Sequence, residues 1–542
     1  MRMTVVRAFA LSVALLSAVP VAAQAVTDSG AEQRIEADVV FLADDALEGR
    51  GTGQRGYDLA ALYVQSRMQA IGLRPGAAGG EWLQRFTVAR LGIAAEGATL
   101  TWTPAGGEPV VWRSGQEALF GVGREAGRFV QPGQLVFVGI GIDAPEQGMS
   151  DYAGLDVAGK IVVFLSGAPV GTAPAIAERL EAAKARTAEA HGAIATVTVN
   201  TTASASRYSD TLLRRFAGRT ETVWVSPDGT PRRQAPSVRA TAFLSDAAAE
   251  ALFAGTSRSY ADIRREATAA GGRPAGFALA GAAVFEVHTR REDLQTANVV
   301  GVIEGSDPAL KTEYVVMTAH LDHLGMSGTG PDRINNGALD NAGGVASMLE
   351  AARILALAPP RRSVLVVALS AEEMGLIGSD YLARYPVAQG VIANVNLDMP
   401  ILTYDFTDVV AFGAEHSTMG PLVAAAARAE GVSLSPDPMP EQNVFTRSDH
   451  YSFVQAGIPS VMLATGYANG GEAAWGQFFA NGYHKTNDDL STPFNWGAAA
   501  RFARVNAAIA RAIGDAERAP LWYEGNVYGD RFAPTAERAP AP

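Results

Sequence analysis

Five stretches of this chain end in residues that can bind a metal ion or move a proton. The apolar run Tyr314 to Ala319 is followed by His320, Leu321, Asp322 and His323. Gly337 to Leu339 leads to Asp340, then to Asn341 and a Gly343–Gly344 pair that opens a helical pattern. Val364 to Leu369 runs into Ser370, Ala371, Glu372 and Glu373. Val395 to Leu397 ends at Asp398, and Tyr483 stands directly before His484. In open α/β sheets, sites form in the crevice beyond the carboxyl ends of the strands. Most of these segments can therefore aim at one region although they are dispersed in sequence.

The donor types fit zinc, which binds imidazole and carboxylate well. A catalytic zinc usually takes three protein ligands. Two histidines and three carboxylates exceed that number and suit two ions that share one carboxylate and one water. Neighbouring residues at an extended strand end point to opposite sides. One glutamate of the Glu372–Glu373 pair can thus hold metal while the other reaches the water. The chain has no cysteine, which removes thiolate ligands, a thiol nucleophile and disulfides.

The elements that must position these residues follow from periodicity. From Ala283 onward strands and helices alternate: Tyr314–Thr318, Val345–Leu357, Ser363–Leu369, Gly375–Arg384 and Val391–Leu397. This pattern predicts an α/β fold, a largely parallel central sheet with helices on both faces. Residues 30–95 read as a helical opening with a glycine-rich loop from Leu47 to Gly53. From about Glu96 to Ala275, short β runs such as Gln134–Ile140 and Lys160–Leu165 alternate with turns around one helical stretch. The expected organisation is a discontinuous catalytic domain (26–95 and 276–518), a mainly β module inserted at 96–275, and a Pro/Ala-rich tail at 519–542 that lies loosely on the surface.

The 542 residues carry a net charge of -12, which argues against nucleic acid as a partner. Arg2 and Arg7, the apolar run Ala8 to Val21 and the small residues Ala23 and Ala25 read as a signal peptide, residues 1–25. A secreted or periplasmic protein is expected, with no membrane association after cleavage.

The order of these motifs resembles the co-catalytic di-zinc aminopeptidases, related to glutamate carboxypeptidase and glutaminyl cyclase. By that resemblance His320, Asp340, Glu373, Asp398 and His484 hold two zinc ions, with Asp340 bridging. Asp322 orients the His320 imidazole, Glu372 is the general base, and Tyr483 helps hold the tetrahedral oxyanion. The run Arg447, Ser448, Asp449, His450 resembles a family motif near the substrate, with Arg447 as a substrate contact and Asp449 and His450 bracing the loop. The resemblance also implies a non-proline cis bond between Asp340 and Asn341; many members have an acidic residue where Asn341 stands. The inserted module, with Asp151-Tyr152 before Lys160–Leu165, resembles a protease-associated (PA) domain. The implied activity is removal of N-terminal residues from peptides. A carboxypeptidase or dipeptidase on the same scaffold, a glutaminyl cyclase and a non-catalytic binding relative are the alternatives.

Overall fold

Apolar residues in the central strands alternate between two faces, and that alternation builds the catalytic half of the molecule. A computed structural model describes residues 30–145, 148–205, 210–326 and 330–542; the expected signal peptide lies outside the described residues. Val299, Val315, Val364 and Val366 enter the larger core, while Val300, Val316, Leu365 and Val367 pack on the opposite side, as the two-residue period of a strand requires. The first face is covered by the helices Ala31–Leu42, Gly343–Leu357 and Trp496–Asp515. The second is covered by Ile377–Arg384 and His450–Gln455, through Leu382 and Phe453.

The parallel character is concentrated where the chemistry lies. Ser363–Leu369, Tyr314–His320, Val391–Leu397 and Ser460–Thr465 are adjacent and mutually parallel. Around them the sheet is mixed. Gly281–Ile303 joins one side antiparallel, and Asp408–Phe412 joins the other antiparallel. The four parallel strands therefore end on the same edge, which brings His320, Glu372, Glu373 and Asp398 together.

The inserted module has its own core, which includes Leu135, Phe137, Ile161, Val163, Val197 and Leu244. Its six-stranded sheet is accompanied by the helices Pro174–Ala190, Asp246–Phe253 and Tyr260–Ala267. Its boundary differs from the sequence expectation. Phe277–Ala278 pairs with this sheet, and Ala283, Phe285 and Val287 lie in its core, so the module extends past residue 275. Two long strands, Leu83–Pro104 and Gly281–Ile303, run paired from the main sheet into the module. Composition gives no break there because the backbone crosses between domains without leaving the strand.

The C-terminal segment is docked, contrary to the loose tail expected. Trp522–Tyr523 pairs with Arg538–Ala539, and the helix Val527–Phe532 lies between them. Trp522 is 2% exposed and its indole N–H donates to the Gly457 carbonyl at 2.9 Å. One buried aromatic outweighs the surrounding Pro and Ala, since a side chain of this kind buries a large apolar area. Trp522→Ala should destabilise the protein by about 3 kcal/mol and release residues 519–542 to protease. Chemical denaturation and limited proteolysis check both effects; a variant as stable as the parent contradicts the docking.

Candidate metal centre

The centre is assembled at the ends of the parallel strands. Strand Tyr314–His320 delivers His320, strand Ser363–Leu369 leads to Glu372 and Glu373, and strand Val391–Leu397 leads to Asp398. Asp340 comes from the turn before helix Gly343–Leu357, and His484 from the loop after helix Gly471–Asn481. The Asp340–Asn341 bond is cis. Gly337, at φ +59, packs so tightly that a Cβ there would stand 2.7 Å from the His323 ring and 2.2 Å from the Asp340 carbonyl. Only glycine fits beneath Asp340.

Two groups of donors share one carboxylate. His320 Nε2 lies 3.0 Å from Asp398 Oδ1 and 3.2 Å from Asp340 Oδ1. His484 Nε2 lies 3.5 Å from Asp340 Oδ2 and 3.2 Å from Glu373 Oε2. The two oxygens of Asp340 thus face two different histidines. Among the described residues, donor atoms of His320, Asp340 and Glu373 all fall within 4.8 Å of one another.

Charge is unbalanced here. Burial opposes a charge on His320, yet Asp398, Glu372 and Asp340 outweigh it and hold the imidazole well above its usual value. Burial also works against ionised Glu373, but His323 and His484 hold that carboxyl well below its usual range. Asp398 behaves alike: His320 and Ser448 overcome its burial and lower it. Glu372 goes the other way. Burial, then Asp398, Asp449 and Glu373, push it well above the ordinary carboxylate range. Grouped buried carboxylates with so few cations create demand for positive charge, and a divalent ion meets it. The donor set fits zinc on these grounds.

Several supports were not assigned from the sequence. The Asp488 carboxylate accepts the backbone N–H groups of Leu339 and Asp340, at 2.8 and 3.0 Å, and so fixes the turn that presents Asp340. His323 Nδ1 lies 2.6 Å from Glu373 Oε1. Ser448 Oγ donates to Asp398 Oδ2 at 2.5 Å and accepts from Asn396 Nδ2 at 2.8 Å. The glycine-rich loop contributes Thr52, whose hydroxyl donates to Asp322 Oδ2 at 2.9 Å, and Arg50. Arg50 is fully buried, and its guanidinium donates to the carbonyls of Leu42, Leu321, Asn336 and Gly337. Burial brings its pKa down to about 10, so it remains cationic behind the carboxylates. The sequence held a signal for two of these: Asp488 follows His484 by four residues, and Ser448 belongs to the Arg447–His450 run.

The remaining expected residues are placed unevenly. Asp322 meets His320 through its main-chain carbonyl, 3.1 Å from Nδ1, and not through its carboxylate. A carbonyl only accepts, so Nδ1 carries the proton and Nε2 is the nitrogen left for a metal. The Asp322 carboxylate instead accepts from Thr52 and from the Glu372 N–H, 3.1 Å away. The Tyr483 ring stacks on His484 at 3.9 Å between centroids. Arg447 is exposed on its loop. The side chain of His450 was expected to brace that loop; both its ring nitrogens are buried without a hydrogen-bond partner among the described residues. Burial pushes it down to about 3, and it acts by packing, 5.2 Å from the Phe445 ring.

Fold and site together define an α/β protein with a carboxylate–imidazole metal centre at the strand ends. Residues 298–510 match the model of peptidase family M28, and residues 130–252 match that of the PA domain. The main-sheet domain is thus similar to peptidase family M28 and the inserted module to a PA domain. It is similar to aminopeptidase NAALADL1 of Mus musculus, 31% identical over 146 residues, which make up 24% of this chain and 18% of that protein. Aminopeptidase YwaD of Bacillus subtilis is 33% identical over 106 residues, 19% of this chain and 21% of that one. A probable zinc metalloprotease of Leptosphaeria maculans is 37% identical over 90 residues, 17% and 20% of the two chains. The chain spans about a fifth of the length of these curated relatives. Among solved structures, an aminopeptidase from Aneurinibacillus sp. strain AM-1 superposes with a TM-score of 0.46 at 21% identity, covering 88% of this chain and 92% of that one. The zinc aminopeptidase BSAP from Bacillus subtilis gives 0.41 at 19% identity, covering 91% and 98%.

Asp488→Asn replaces an acceptor of two N–H groups by an amide that cannot accept both equally. Metal affinity should fall by about tenfold or more, read by competition with a chelator. Unchanged affinity contradicts the role given to Asp488.

Proposed function

We propose that this protein is an exported di-zinc aminopeptidase that removes N-terminal residues from peptides. The observation that carries the reading is the division of Asp340 between two histidine-centred donor groups. His320, Asp340 and Asp398 would hold one zinc, and Asp340, Glu373 and His484 the other. Zinc bound there would supply Lewis acidity for the scissile carbonyl and the attacking water. Glu372 takes a proton from the attacking water and hands it to the departing amine. The Tyr483 phenol donates to the developing oxyanion, a contribution on the order of 3 kcal/mol for a well-placed donor. Arg447 reaches the substrate backbone from its exposed loop. The carboxylates of Glu372 and Asp398 favour a bound ammonium group, which argues for the N-terminus over the C-terminus of the peptide. Export rests on the Arg2-to-Ala25 pattern; the intact mass of the protein recovered outside the cytoplasm reads the cleavage point. Among the described residues no helix is long and apolar enough to cross a membrane.

Glu372→Gln should lower kcat by several orders of magnitude with metal content unchanged at about two zinc ions per chain, whereas Glu373→Gln should lose metal. Elemental analysis and kinetics separate the two; reversed phenotypes exchange the roles, and one zinc per chain in the parent overturns the two-ion reading. An aminoacyl-arylamide should be cleaved far faster than its N-acetylated form. Equal rates, or trimming from the C-terminus of an unmodified peptide, would make the protein a carboxypeptidase.

A further inference from the structure

Away from the metal centre, two loops of the inserted module turn arginines towards one place. Arg124 follows the strand Ala118–Phe120, Arg232 and Arg233 follow the strand Glu221–Val225, and Arg239 precedes the strand Ala240–Leu244. All four line two adjoining cavities of about 500 and 830 Å³. Arg384, at the end of helix Ile377–Arg384, lines the larger one. The smaller cavity is also lined by Gly375, Leu376 and Ile377, which follow Glu373 after Met374.

The charge here is under-compensated. Glu221 accepts from Arg124 Nη2 at 2.5 Å. Asp380 accepts from Arg384 Nε at 2.7 Å, from the Trp224 indole at 2.7 Å and weakly from Arg232 at 3.4 Å. Asp228, at the edge of the larger cavity, is taken up by Ser226 and the Thr230 N–H, and Glu125 lines the same cavity. Arg233 donates to the Val238 carbonyl at 3.0 Å, and Arg239 lies over the Phe129 ring at 4.6 Å. Nε and Nη1 of Arg124 are buried with no hydrogen-bond partner among the described residues. Burial, with Arg124 and Arg239 close by, brings the Arg233 pKa down to about 10, a sign of crowded like charge. Buried guanidinium donors left unmatched are what an incoming oxyanion satisfies, because the planar fork fits carboxylate and phosphate oxygens.

We propose that these arginine-lined cavities form an oxyanion-binding site for carboxylate or phosphate groups, with Arg124 and Arg233 as its principal donors. The two sources of that chemistry are an acidic side chain of a peptide lying in the cleft beside Gly375 and free phosphate. The site is independent of the aminopeptidase reading, since binding needs no turnover.

Calorimetry on the full processed protein tests it with two probes: inorganic phosphate, and a diglutamyl peptide blocked at both ends. At least one should bind saturably at one site per chain, more weakly as salt is added. Arg124→Gln and Arg233→Gln should each weaken binding on the order of tenfold. Glu221→Gln, which releases Arg124 from its carboxylate, should strengthen it. This opposite sign separates lost binding from lost folding. Tighter peptide binding identifies the substrate side as the source, and tighter phosphate binding a free anion. The proposal is overturned if neither probe saturates, or if the arginine variants bind like the parent with unchanged thermal unfolding. Anion binding that disappears on chelation but ignores the arginine variants belongs to the metal centre and overturns it too. A failure of the aminopeptidase reading leaves each of these results intact.

Discussion

Repulsion among buried carboxylates is the constraint that the catalytic half is built around. Asp340, Glu373 and Asp398 sit together with Asp322, Glu372, Asp449 and Asp488 close by, nearly all hidden from solvent. Several of them are held by groups other than water, while both carboxylate oxygens of Asp449 have no hydrogen-bond partner among the described residues. Histidines serve Glu373 and Asp398, backbone N–H groups serve Asp488 and Asp322, and hydroxyls serve Asp398 and Asp322. Arg50 stands behind them as a fixed cation whose own donors are spent on carbonyls. Those carbonyls belong to segments flanking the site on both sides in sequence, so one side chain ties the opening loop to the strands that carry the ligands. What remains uncompensated is negative charge of the kind that divalent metal balances.

The division between what the sequence displayed and what it hid follows the range of the interactions. His320, Glu373 and Asp398 were legible because each stands at or just past the end of an apolar strand, a local pattern, whereas Asp340 and His484 stand on turns beside helices. The central parallel strands were legible for the same reason: Val364 to Leu369 is too apolar and too β-branched to be anything but a doubly covered strand. Arg50, His323 and Thr52 were not assigned, because nothing local separates an arginine that is buried among carbonyls from one on a surface. The roles of Arg50 and Thr52 come from pairings some 270 residues apart, with Leu321 and Asp322, and that of His323 from Glu373, 50 residues on. Asp322 shows a subtler gap: the residue was named, but the atom that touches His320 is its main-chain carbonyl.

The module boundary and the tail show composition misleading in opposite directions. Residues 519–542 are rich in Pro and Ala, yet buried Trp522, with Leu521 hydrogen-bonded to Thr418 beside it, anchors them. At the junction near residue 280 the texture changes earlier than the packing does, because Phe277 and Phe285 still belong to the module's core or its rim.

The paired strands Leu83–Pro104 and Gly281–Ile303 also bear on how the two halves move. At 22 and 23 residues, they form a ribbon roughly 70 Å long at the usual rise per residue. A cable of this kind, cross-linked along its length by hydrogen bonds, transmits torque and resists a sharp bend. The module therefore cannot swing about a single pivot residue as a domain on a loose linker does. Its excursions are twists spread along the ribbon, softest at the break in register between Val287 and Thr289. Torsion there would be felt at both ends, at the strand that feeds the module's core and at the strand that abuts the sheet carrying His320 and Asp398.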